Sequence, residues 1–350
     1  MALDHWQPPW WLHAPGALGG NLQTIWPARA SRHWKADSRP LTGRRVRVDT
    51  PDGDFIDFDW LVEPLAPTSP VLVVFHGLEG SSASHYAQAF AHWAREQHWG
   101  CVVPHFRGCS GELNRLPRAY HSGDFAEIDW MLGQVQLAHP DGPRVAVGIS
   151  LGGNALLRWA QEMGHAARQK VLAVAAVCSP LDLAAAGHAI GRGFNRLVYT
   201  RMFLSTMKPK MLAKLQRFPG FIDEQALRAA ADLYAYDNAV TAPLHGFANT
   251  EDYWARCSAG PRLQGLVGVP ALALNALNDP FVPASSLPRP DQVSSWVTVW
   301  RPRHGGHVGF PGGRWPGHVR PMPEAVGRWL AQHVTVTMPP DRQAEGHTHG

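Results

Sequence analysis

VAVGISLGGN, residues 145–154, runs a valine-rich apolar stretch into one serine set among three glycines. An unbroken apolar run suits a strand buried on both faces. Beyond it, Leu151, Ala155, Leu156, Trp159 and Met163 recur on one side of a helix. Glycine weakens both kinds of element. Gly148, Gly152 and Gly153 therefore mark a backbone that turns sharply or is closely approached. Ser150 stands at the corner between strand and helix.

The same alternation extends in both directions. Residues 44–64 alternate by twos around PDGD and read as an antiparallel hairpin or meander. PVLVVFHGLEGSS (70–82) is a buried strand and loop, followed by Tyr86, Phe90 and Trp93 at helical spacing. GCVVPHFRGCSG (100–111) repeats the strand and loop, and Phe125, Ile128, Leu132 and Val135 mark the next helix face. KVLAVAAVCSP (170–180), PALALNAL (270–277) and SWVTVW (295–300) complete the series. Strands alternating with helices predict βαβ units in a mostly parallel, doubly wound sheet. Such sheets bind ligands beyond the carboxyl ends of their strands. Residues 182–260 interrupt the pattern with helical and loop-like sequence, expected to form a lid over that edge. The 350 residues thus predict an α/β domain over 1–338 with a lid insertion at about 182–260, and a disordered polar tail at 339–350.

A formal charge of +4, spread along the chain, argues against nucleic acid as a partner. The opening MALDHWQPPWWLHAPG lacks a basic start followed by an apolar run. The longest apolar stretches fall far short of the ~20 residues needed to span a bilayer. Four cysteines, Cys101, Cys109, Cys178 and Cys257, form no CxxC pair, so free thiols in a cytoplasmic protein are expected.

Gly148-Ile149-Ser150-Leu151-Gly152 is a G-x-S-x-G elbow in the strand–turn–helix context that this motif requires. The turn pushes a hydroxyl into the cleft, and the following helix aims its N-terminus at the same place. A serine alcohol needs a base. Chain order in this architecture puts an acid after a late strand and a histidine after the last. NALNDPFVP supplies Asp279; RPRHGGHVGF supplies His307, flanked by Gly306 and Gly309, with His304 as the alternative base. Asp182, after the strand at 170–178, competes as the acid. The loop HGLEGSS and the elbow supply the expected oxyanion donors, the backbone N–H groups of Leu78 and Leu151. His304 and His307 have no Cys or carboxylate beside them in a ligand cluster, so neither metal nor other cofactor is expected.

Together these residues resemble the α/β-hydrolase superfamily, and most of all its YheT-like branch of hydrolases and esterases. PPWWLHAPGALGGNLQTIWPA, FHGLEGSSASHY, FRGCSG, YHSGD, GISLGGN, SPLDL, TAPLHGF, NALNDPFVP and GGHVGF are similar to that branch's blocks in the same order, over about residues 8–332. The resemblance implies an α/β-hydrolase fold with a mostly parallel eight-stranded sheet and a helical lid. It implies Ser150 as nucleophile, Asp279 as acid and His307 as base, acting on a small-molecule carboxylic ester. An acyltransferase with the same triad, and a binding protein that keeps the fold, are the rival readings.

Residues 183–222 contain no acid but hold Arg192, Arg196, Arg201, Lys208, Lys210, Lys214 and Arg217, interleaved with apolar residues. Two readings follow: a basic amphipathic surface making peripheral contact with anionic lipid, or a solvated basic face whose apolar side packs on the core. Trp6, Trp10, Trp11, Trp26 and Trp34 either pack an N-terminal arm or line an acyl pocket.

Overall fold

The computed structural model describes residues 3–30, 34 and 38–335; the tail at 339–350 lies outside them. A helix, α1 (Gly16–Arg29), precedes the sheet. The strands are β1 (Arg44–Asp49), β2 (Phe55–Val62), β3 (Val71–Phe75), β4 (Gly100–Pro104), β5 (Arg144–Ile149), β6 (Val174–Val177), β7 (Ala271–Leu274) and β8 (Val297–Trp300). They form one sheet in the order β1-β2-β4-β3-β5-β6-β7-β8. β2 pairs antiparallel with β1 and β4, and every other pairing is parallel. The mostly parallel sheet read from the alternation is the one found.

The central strands are apolar throughout because both faces are covered. Leu72 and Val74 of β3 join a core with Phe90 and Trp93 of α2 (His85–Glu96) and with Val326 and Leu330 of the C-terminal helix Pro321–Thr335. Val71, Val73 and Phe75 face the other way, onto Ile128 and Leu132 of α3 (Phe125–Ala138) and Leu156 and Trp159 of α4 (Leu151–Met163). Trp159 is wholly buried, and truncating such a side chain to alanine costs about 3–5 kcal/mol. Because the parallel strands share one direction, β5, β7 and β8 all end at the same edge.

Between β6 and β7 the described residues contain helices and turns but no strand, as the sequence predicts. The longest helix there, Arg201–Arg217, buries Leu204, Met211 and Leu215 in a small core of its own with Ile222, Leu227, Tyr236 and Val240. The basic residues of the lid divide. Arg192, Arg196, Arg201 and Arg217 are exposed. The three lysines turn inward: Lys208 donates to the carbonyls of Arg228 and Ala230, Lys214 to those of Pro117 and Arg118, and Lys210 pairs with Glu79. Of the seven basic residues that both readings place on the basic face, the four arginines stay exposed. The apolar residues divide too, since Phe194, Leu197 and Met202 stay exposed at 53%, 65% and 46%.

Helix α1 has no counterpart in the periodicity. It carries Gly16, Gly19, Gly20 and an internal Pro27, a composition that disfavours helix. Packing holds it: a Cβ on Gly20 would lie 2.0 Å from the Asn278 carbonyl oxygen. The tryptophans pack as an arm. Trp34 is buried, Trp6 meets Phe310 edge-on, and Trp11 meets Trp26 edge-on, while Trp10 is 87% exposed. None of the five lines a cavity beside Ser150.

Candidate active site

Ser150 caps α4 with φ +52° and ψ −118°, a conformation L-residues rarely adopt. The elbow glycines do not share that left-handed backbone; they are required by proximity. A Cβ on Gly148 would fall 2.4 Å from the Gly152 carbonyl oxygen, and one on Gly153 would fall 2.0 Å from Ser179 Oγ. The glycines let α4 sit tightly on β5 and β6, and the strain is carried by the serine.

His307, in the loop after β8, reaches this corner. Its Nε2 lies 3.0 Å from Ser150 Oγ and its Nδ1 lies 2.8 Å from Asp279 Oδ2. Asp279 follows β7. Its Oδ1 accepts hydrogen bonds from the Phe281 and Val282 amides, which fix the carboxylate. Leu277 N–H donates to the Pro302 carbonyl and ties the acid loop to the histidine loop. The two alternatives fall elsewhere. His304 faces His13, ring centroids 5.7 Å apart, and Asp182 caps the lid helix α5 (Leu183–Ile190) by accepting from the Ala185 amide.

The amides around the corner are almost all engaged. Gly77 N–H donates to the Tyr86 hydroxyl, Glu79 N–H to the Tyr120 hydroxyl, and Ser150 N–H to the Val177 carbonyl. The amides of Leu78 and Leu151 have no partner among the described residues, and both residues line a cavity with Ser150 and His307. His76 braces this loop. Phe106 N–H donates to its Nε2, so its Nδ1–H donates to the Gly77 carbonyl. Burial, reinforced by neighbouring His105, pushes that imidazole down to about 3 and keeps it neutral.

Three residues that the sequence did not single out hold the two loops. Gln23 of α1 is wholly buried, and its Oε1 accepts from the Asn278 side-chain amide and from Gly305 N–H, both at 2.9 Å. Thr24 Oγ1 accepts from His307 N–H at 2.8 Å and donates to the Gly20 carbonyl. Asn278 Oδ1 accepts from Gly306 N–H. The available signal was the adjacent polar pair Gln23-Thr24 in a glycine-rich helix whose other polar residues are Asn21 and Arg29. From the other side, Val308 N–H points to the buried Cys178 sulfur at 3.3 Å.

Two cavities meet at Ser150. One, of about 110 Å³, runs under the lid between Leu183, Ile190, Met207, Leu233 and Trp254. The other, of about 370 Å³, opens between α1 and the lid past Ile25, Val198, Met202 and Tyr86. Their walls are mainly apolar.

The pattern of the alpha/beta hydrolase fold family matches residues 70–313. "Putative esterase YheT" of Escherichia coli (strain K12) is 39% identical over 296 residues, spanning 84% of this chain and 84% of that one. "Phospholipase ABHD3" of Homo sapiens is 26% identical, spanning 79% of this chain and 69% of that one. Among solved structures, Est1E of Butyrivibrio proteoclasticus, with ferulic acid bound, superposes with a TM-score of 0.52 at 13% identity, over 83% of this chain and 99% of that one, a likeness of fold alone. Sequence, sheet order and lid agree: the chain belongs to the α/β-hydrolase family, closely related to its YheT-like branch.

Proposed function

We propose that this protein is a serine hydrolase of carboxylic esters. Family membership supports esterase- or lipase-type hydrolysis in general. The finer reading is carried by one observation, the unbroken hydrogen-bonded relay from Asp279 through His307 to Ser150. In this mechanism His307 Nε2 takes the Ser150 proton as Oγ attacks the ester carbonyl. The free amides of Leu78 and Leu151 receive the oxyanion, an arrangement in which each donor contributes about 10²–10³ in rate. Asp279 orients the imidazole and stabilises its cation. His307 then protonates the leaving alcohol, and water repeats the sequence on the acyl-enzyme. Hydrolysis needs no cofactor in this scheme.

The substrates proposed are short- to medium-chain or acylglycerol-like esters. The narrow cavity fits a small or slender group, and the wider cleft accepts a bulkier one. The phospholipase named among the relatives points the same way, to lipid-derived esters. Peripheral contact with anionic lipid through the exposed lid arginines belongs to this reading. The cysteines are free and buried, which fits a reducing cytoplasm.

A fluorophosphonate probe tests the chemistry. Stoichiometric labelling, lost in Ser150→Ala together with turnover of p-nitrophenyl butyrate, is the expected result. Labelling that persists in Ser150→Ala refutes the assignment.

A further inference from the structure

The narrow cavity beside Ser150 carries a group that ester cleavage leaves unused. Asp237 opens a π-helical turn, Asp237–Thr241, in the lid, and it lines this cavity. Most of the surrounding wall is apolar, and Asp237 is its sole carboxylate among the described residues. Oδ1 accepts from Thr241 Oγ1 at 2.7 Å, and Oδ2 accepts from the Trp254 indole N–H at 2.9 Å. A carboxylate offers about four lone-pair sites, so each oxygen keeps capacity for another donor. No cation forms an ion pair with Asp237 among the described residues. Burial raises its carboxyl to about 6, against the opposing hydrogen bonds of Thr241 and Trp254.

An alkyl chain filling this space would strip water from those lone pairs and return nothing. Leaving a buried polar group unpaired costs roughly 1–3 kcal/mol, and more for a charged one. A hydroxyl on the chain would replace the lost water. Sites built around such a hydrogen bond discriminate against analogues that lack it.

We propose that Asp237 is a specificity-determining residue, and that the group bound in the narrow cavity carries a hydrogen-bond donor, a hydroxyl, in place of a plain alkyl end. The inference rests on the esterase reading above. A purely structural Asp237 would only tie the π-turn to the helix Thr250–Cys257 through Trp254.

The test compares matched p-nitrophenyl esters: 3-hydroxybutanoate against butanoate, and 6-hydroxyhexanoate against hexanoate. In the wild-type protein kcat/KM favours the hydroxylated ester by about tenfold at one of the two lengths, the ratio expected for one unpaired buried acceptor. Asp237→Leu removes or inverts the preference. Asp237→Asn, which can still meet Thr241 and Trp254, folds with a near-wild-type melting temperature and shows a reduced ratio. Equal rates within both pairs, in a protein that the fluorophosphonate labels at Ser150, overturn this proposal alone. So does a preference that survives both substitutions. A wild-type protein that neither labels nor turns over any of the four esters overturns the esterase reading as well.

Discussion

Thr24 shows how a residue remote in sequence positions His307, the proposed base. Its hydroxyl receives the His307 amide, and no other group among the described residues accepts that N–H. Thr24→Val keeps the shape and removes the acceptor, leaving a half-buried N–H unpaired at a cost of roughly 1–3 kcal/mol. A relaxation of the histidine loop that moves the imidazole by a fraction of an ångström lowers the rate without touching substrate contacts; near 1 Å such shifts cost about 10²-fold. Thr24→Val is therefore expected to lower kcat about tenfold or more with KM held within about twofold, and Thr24→Ser to restore it. Steady-state kinetics with p-nitrophenyl butyrate, alongside melting curves, reads this. Equal loss in the valine and serine variants would show that Thr24 only supports folding. Legibility differs by residue for the same reason. Ser150, Asp279 and His307 follow strands whose order can be read from sequence, and the geometry joins these three rather than Asp182 or His304. Gln23 and Thr24 act through backbone amides 282 and 283 positions away, a relation that no local pattern encodes.

At the scale of elements, the strands were readable because burial on both faces leaves continuous apolar runs. Helix α1 was not, because its stability comes from contact with the Asn278 loop and not from its own composition. The lid was readable as a helical and loop-like insertion at about 182–260, but neither the bounds of its helix Arg201–Arg217 nor the partners of its lysines were. Lys210 reaches Glu79 Oε2 at 2.7 Å, and Glu79 Oε1 accepts from the Tyr120 hydroxyl. Glu79 has φ +55° and directly follows Leu78, whose amide is a proposed oxyanion donor. The lid is thereby fastened to the loop that presents this donor. Lys210→Met is expected to lower kcat/KM about three- to tenfold by loosening that loop, while stability changes by less than about 1 kcal/mol because the pair is partly exposed. Unchanged kcat/KM in Lys210→Met would show the pair to be a surface ornament of the lid.

At the scale of the molecule, one sheet edge gathers the loops of Ser150, Asp279 and His307, and the lid lays its exposed face beside the opening. Val198 and Met202 line the wider cleft, and the neighbouring Phe194 and Leu197 are exposed. Arg192, Arg196 and Arg201 flank them, with no acid between residues 183 and 222. Each basic residue near an anionic membrane contributes about 1 kcal/mol, and salt screens that attraction. Together the three arginines would raise partitioning onto anionic vesicles by about 10²-fold. Sedimentation with phosphatidylserine-containing vesicles at low salt is expected to carry the protein down, and high salt or neutral vesicles to release it. Replacing all three arginines with glutamine is expected to abolish the binding while p-nitrophenyl butyrate turnover in solution continues. Binding indifferent to salt and to these substitutions would place any lipid contact on another surface, and the absence of binding at low salt would leave the lid as a cover for the cleft alone.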